Sequence, residues 1–114
     1  MEWIDSHCHL DDPRFDPDRA EVVQRARSAG VGPIIVPATT AARWPAVAAS
    51  CQSGADIYPA WGLHPMFIAA HAPTDLAALE QQVARQRPVA IGECGLDFSN
   101  PQWDAQAQRG VFEA

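Results

Sequence analysis

The chain has 114 residues, 47% of them hydrophobic and 19% charged, which is the range of one soluble globular domain and excludes a disordered or fibrous chain. Its formal net charge of −6 excludes a broad basic surface, so a nucleic-acid partner would have to be met through bound metal ions rather than through Lys and Arg. No run approaches the roughly 20 apolar residues of a membrane span and the start, Met1-Glu2-Trp3-Ile4-Asp5, lacks a signal-peptide pattern, so the expected location is the cytoplasm.

In chain order, Trp3–Ile4 predicts a first short strand running into Ser6-His7. A helix is expected from Pro17 to Ala29, with Asp16 as cap, Pro17 in the first turn, Gly30 after the end, and an apolar stripe of Val22, Val23, Ala26 and Ala29. Pro33–Pro37 predicts a second strand, and a second helix begins near Pro45 and packs through Val47, Ala48 and Cys51. Ile57–Gly62 is the third strand. Thr74 is positioned to cap a third helix that buries Leu76, Leu79 and Val83 and stops before Pro88. Val89–Gly92 is the fourth strand, and a fourth helix opens around Asp104 and is still running at Glu113-Ala114, where Val111 and Phe112 offer apolar contacts.

Strands alternating with helices imply βαβ units and a parallel sheet, with the apolar strands buried on both faces. A (β/α)₈ barrel of about 250 residues uses about 30 per unit, which is the spacing here. The expected fold is therefore α/β, of the TIM-barrel type, with about four βα units over residues 1–114 and no internal domain boundary: half of a barrel. Half a barrel leaves unpaired edges on the first and fourth strands. The sequence therefore predicts either a homo-oligomer, such as a two-fold pair of half-barrels, or a C-terminal half covering the open edges.

Three segments carry chemistry. In Asp5-Ser6-His7-Cys8-His9-Leu10-Asp11, positions i and i+2 of an extended chain project to one side, so His7 and His9 can present two imidazoles to one metal ion. In Ala90-Ile91-Gly92-Glu93-Cys94-Gly95-Leu96-Asp97, a buried strand runs into an acidic residue between glycines, at the end of the barrel where ligands and catalytic groups sit. A metal-bridging, catalytic carboxylate is the role this gives Glu93. Asp97 reads either as a partner behind the ligands or as a loop cap. Gly62-Leu63-His64-Pro65 closes the third strand with a histidine at the same rim, readable as a substrate-phosphate contact, a donor near the metal, or a structural loop group.

The remaining candidates read as structural. His71 is expected at the surface, as are Arg14 and Arg19. Trp3 and Trp61, within strands, are expected in the core, whereas Trp103 is open between packing and a base-stacking platform. Cys8, Cys51 and Cys94 show no C-x-x-C spacing and are read as small buried thiols in a reducing compartment.

Taken together, Asp5 to Asp11, Gly62 to Pro65 and Ala90 to Asp97, with Leu10-Asp11-Asp12-Pro13-Arg14-Phe15 between, resemble the TatD family of metal-dependent deoxyribonucleases within the amidohydrolase-like barrels, over the whole chain. The resemblance implies a two-metal centre that hydrolyses DNA phosphodiester bonds, with His7, His9 and Glu93 matching family metal ligands and Glu93 bridging. The resemblance implies two divalent ions, and zinc, magnesium and manganese all fit that role. The family adds two later histidines and a late aspartate, none of which lies within residues 1–114. Two alternatives stand beside this reading: an amidohydrolase-type hydrolase of an ester, amide or lactone, and a non-catalytic fragment that acts only by association.

Overall fold

The computed structural model describes residues 2–114. Four parallel strands, β1 (Trp3–Asp5), β2 (Val31–Pro37), β3 (Ile57–Trp61) and β4 (Ala90–Ile91), form one sheet in the order β1-β2-β3-β4. Helices α1 (Arg19–Ser28), α2 (Trp44–Ser50) and α3 (Asp75–Arg85) make the crossovers, and α4 (Ala105–Glu113) follows β4. Consecutive strand order with a helix in every connection is the half-barrel expected from the sequence.

The helices start and stop for local reasons. Helix α1 begins two residues later than Pro17, because Asp16 is otherwise engaged: its N–H closes the 3-10 turn Pro13–Phe15 on the Pro13 carbonyl and its carboxylate accepts from Arg19 at 2.6 Å. Asp18 takes the N-cap position, and Gly30, at φ 87°, adopts the left-handed geometry that ends the helix. Thr74 stands at the N-cap of α3 without a side-chain bond. There Asp75 reaches back to accept from the Ala72 N–H at 2.8 Å. Asp104 caps α4 by accepting from the Ala107 N–H at 2.6 Å.

The core lies between the sheet and the helices. Ile34 and Val36 of β2, Ile57 and Trp61 of β3, Val23 of α1, and Trp44 and Val47 of α2 pack together with Leu10 and Leu63. Each such aliphatic side chain contributes about 1.5–3 kcal/mol relative to exposure. The two buried indoles keep their N–H groups satisfied, Trp44 on the Gly62 carbonyl at 3.2 Å and Trp61 on the Gln86 carbonyl at 2.7 Å. Leu76, Leu79 and Val83 of α3 are only partly buried, and so is Val111 of α4, while Phe112 is exposed.

Burial on both faces of the sheet is not what the structure has. Along β2 the helix-facing residues are buried while Val31, Pro33 and Ile35 are half-buried, and Tyr58 of β3 is exposed. One face is covered and the other opens toward the barrel interior. Trp3 is likewise not a core residue: it is 62% exposed, because β1 is an edge strand with β2 on one side only. Trp103 is half-buried.

Candidate metal centre

The strand-end segments extend the sheet beyond its regular ladders and so deliver the site residues. After β1, the Cys8 N–H donates to the Ile35 carbonyl at 3.0 Å, and Cys8 packs against the core. The flanking His7 and His9 therefore point the other way, together. Their Nε2 atoms stand 3.2 Å apart.

Glu93 reaches the same point from the far edge of the sheet. Past β4 the Gly92 N–H donates to the Trp61 carbonyl at 2.9 Å, and the Glu93 N–H then donates to the Ala38 carbonyl at 3.0 Å, past the end of β2. The chain thus crosses over the end of β3, and Gly62 makes the crossing possible. A Cβ at Gly62 would lie 2.7 Å from the Glu93 nitrogen and closer still to the Glu93 oxygen and the Gly92 carbonyl carbon. The Gly92–Glu93 peptide is cis.

One donor atom each from His7, His9 and Glu93 lie within 4.8 Å of one another. Glu93 Oε1 is 3.3 Å from His7 Nε2, and Oε2 is 3.3 Å from His9 Nε2. Oε2 is also buried without a hydrogen-bond partner among the described residues. Two facing imidazole nitrogens and an unsatisfied carboxylate oxygen are a donor set that a divalent cation would satisfy. Two donors each about 2.05 Å from a tetrahedral ion are separated by about 3.3 Å, close to the spacings here, so these residues fit a metal ion.

His64 joins the cluster in a different capacity. Its Nδ1 accepts the Met66 N–H at 3.0 Å, so in the neutral ring the hydrogen is on Nε2, which stands 3.4 Å from Glu93 Oε1. With its one lone pair taken by the backbone, His64 serves as a hydrogen-bond donor. Beside these residues a cleft of about 550 Å³ is lined by His9, Thr39, Arg43, His64, Phe67 and Glu93 among others.

Several residues hold the β1 loop. Asp11 is 7% exposed, and its Oδ2 accepts from Arg43 Nε at 3.1 Å and Nη2 at 2.9 Å. The Asp11 carbonyl also accepts from Arg43. Arg19, expected at the surface, is instead a brace: it donates to the Leu10 carbonyl at 2.8 Å and the Asp12 carbonyl at 3.2 Å. Arg14 is exposed, as expected, and pairs with Asp12, whose carboxyl it holds down at about 2. Asp97 makes a turn, its Oδ1 accepting the Ser99 N–H at 2.9 Å; hydrogen bonding from Ser99, from its side chain first and its backbone second, lowers the Asp97 pKa.

His71 is not a surface residue: it is half-buried, and its Nε2 donates to the His64 carbonyl at 2.8 Å. Cys94 is exposed, whereas Cys8 and Cys51 are half-buried, and burial pushes the Cys51 thiol up to about 11. Sequence reasoning passed over Arg43 and also Gln108, a buried amide that bonds the backbone of Asp97 in both directions and the Trp103 carbonyl. The Asp12-x-Arg14 and Asp16-x-x-Arg19 spacings are local signals, but the 32-residue separation of Asp11 and Arg43 leaves none.

Among the described residues no helix is long and apolar enough to cross a membrane. A family model described as TatD related DNase matches residues 4–114. The chain is 43% identical over 108 residues to the uncharacterized metal-dependent hydrolase YjjV of Escherichia coli K12, covering 91% of this chain and 42% of that protein. It is 35% identical over 112 residues to the 3'-5' ssDNA/RNA exonuclease TatD of a Rahnella strain, covering 93% of this chain and 41% of that one. The crystal structure of the Escherichia coli YjjV protein superposes with a TM-score of 0.88 at 39% identity, over 97% of this chain and 44% of that chain. The chain thus spans less than half the length of the relatives it matches. With three strand-end segments meeting at one point of a parallel half-barrel, and a family match over nearly all of its length, the chain belongs to the TatD-related DNase family.

Proposed function

We propose that His7, His9 and Glu93 hold a divalent metal ion in a hydrolytic centre that cleaves phosphodiester bonds of single-stranded nucleic acid, with Glu93 in the bridging position of a two-metal arrangement. The observation that carries this reading is the meeting of the three donor atoms within 4.8 Å beside a cleft. A bound divalent cation supplies Lewis acidity, which polarises a phosphoryl oxygen and favours ionisation of the attacking water. His7 and His9 offer lone pairs from one strand end, and Glu93 offers the carboxylate that spans from β1 to β4. His64 carries one hydrogen on Nε2, 3.4 Å from Glu93 Oε1, and offers it either to that carboxylate or to a substrate oxygen.

Electrostatics favours the same reading. Both arginines of the cleft are already paired, Arg43 with Asp11 and Arg14 with Asp12, and Glu93 adds a negative charge. Without a cation the cleft therefore repels a phosphate, and with one it attracts it. The naming of several relatives as 3'-5' ssDNA/RNA exonucleases supports nucleic acid as the substrate class.

The test is metal titration by calorimetry, followed by cleavage of an end-labelled single-stranded oligonucleotide with and without added Mn²⁺ or Zn²⁺. Wild-type protein is expected to bind metal and to cleave only in its presence, and H7A/H9A to lose both. Metal binding unchanged in H7A/H9A overturns the ligand assignment. Hydrolysis of an ester or lactone with no action on DNA selects the other amidohydrolase-type chemistry.

A further inference from the structure

His71 is the histidine that the metal centre does not use directly. It follows the 3-10 segment Pro65–Ala70 and donates from Nε2 to the carbonyl of His64, seven positions back, at 2.8 Å. A carbonyl can only accept, so in the neutral ring of His71 the hydrogen sits on Nε2 and Nδ1 is a bare lone pair. That Nδ1 is buried with no partner among the described residues. An unsatisfied buried acceptor is unfavourable, and a leucine or phenylalanine would fill the space without it. What the histidine supplies in return is the bond to His64.

That bond completes the fixation of His64. The His64 N–H donates to the Thr39 carbonyl at 2.8 Å, its carbonyl accepts from the Phe67 N–H at 3.0 Å as well as from His71, and its Nδ1 accepts from the Met66 N–H at 3.0 Å. Every polar atom of His64 but one is thereby committed. The remaining one, Nε2, carries the hydrogen and faces Glu93 Oε1 at 3.4 Å. We infer that His71 is a positioning residue: by tying the His64 carbonyl it closes the turn from 64 to 71 and keeps the His64 ring in one tautomer and one place, with its Nε2–H directed at the Glu93 carboxylate. The consequence for hydrolysis rests on the function proposed above, whereas the tautomer of His64 does not.

The experiment is a long-range ¹H–¹⁵N correlation of the imidazoles in the metal-free 114-residue chain, for wild type, H71L and H71Q, with Zn²⁺ titration of each. Leucine removes the donor, whereas the glutamine amide can restore it. Wild type is expected to show both His64 and His71 as Nε2–H tautomers. In H71L the His64 signals should move to averaged tautomers and Zn²⁺ affinity should fall about 10-fold, the scale of losing a group that orients a ligand. H71Q should stay within about 3-fold of wild type. A single unchanged tautomer of His64 in H71L, or H71Q behaving as H71L does, would overturn the inference and leave His71 as packing. Should H71L fail to fold, a wild-type His71 found as the Nδ1–H tautomer overturns it alone. If the wild type binds no Zn²⁺, the proposed metal centre fails while the tautomer readings still decide the role of His71.

Discussion

Two glycine-to-alanine changes should have opposite signs. At Gly62 an added Cβ lies 2.7 Å from the Glu93 nitrogen, where ordinary contact begins at about 3.4 Å, so the β4 end must retreat by at least about 0.7 Å. The colliding atoms are backbone, which has no rotamer to escape into. Overpacking of this kind costs about 1–3 kcal/mol, and the same retreat carries Glu93 away from His7 and His9. At Gly110, inside α4, a Cβ meets nothing within 4 Å. There alanine is expected to stabilise by about 0.5–1 kcal/mol through helix propensity. Urea unfolding followed by circular dichroism reads both: with a slope near 2 kcal/mol/M, G62A should lower the midpoint by about 0.5–1.5 M and G110A raise it by about 0.2–0.5 M. Metal titration should separate them further, with G62A weakened about 10-fold or more and G110A unchanged. G62A with a wild-type midpoint and wild-type metal affinity would refute the claim that Gly62 sets the position of Glu93.

Three other outcomes are expected. The Arg14 side chain, with the Arg14 N–H behind it, holds the Asp12 carboxyl at about 2 against an ordinary 3.8, so this pair favours the folded state fully above about pH 4 and the contribution fades as pH falls toward 2; side-chain NMR titration should move Asp12 up toward its ordinary value in R14Q, with the backbone bond keeping part of the shift. Iodoacetamide at pH 8 should label Cys94 first, since it is exposed, and Cys51 last, since its thiol is half-buried and pushed up to about 11, as peptide mapping would read. A polypeptide of these 114 residues should self-associate through its open edges, where Trp3, Ile4, Val89 and Ile91 are each more than half exposed; a monodisperse 12.3 kDa species in light scattering would contradict this.

The parts of the fold and site that were legible in sequence are those written in short range. Strand, turn and helix signals lie within a few residues of one another, so the four βα units and their order could be read directly, as could the i, i+2 projection of His7 and His9. The strand-end position of Glu93 was equally local. What was hidden depends on which distant segments meet. Trp3 and Trp61 look alike as strand residues, and only the order of strands makes one exposed and the other fully buried. Arg19, Arg43 and Gln108 act by bonding backbone or carboxylate groups of loops elsewhere, and a polar residue's partner leaves no mark on its own neighbourhood in the chain. His71 misled for the same reason: a lone histidine after a proline-led turn reads as solvated until its bond to His64 is seen.

The outer strands of the sheet are also the ones that supply the three converging donors: His7 and His9 follow β1, and Glu93 follows β4. Two interior strands separate them in the ladder, and 86 positions separate His7 from Glu93 along the chain, so nothing in the pairing of neighbours alone would bring them together. An ion gripped by all three would act as a hoop, drawing the rims of an open sheet toward each other and fixing how tightly it curls. Because it would close so long a loop, it would also subtract entropy from the unfolded chain much as a covalent cross-link does. Metal loading would then be a determinant of the shape of the half-barrel as well as of its chemistry.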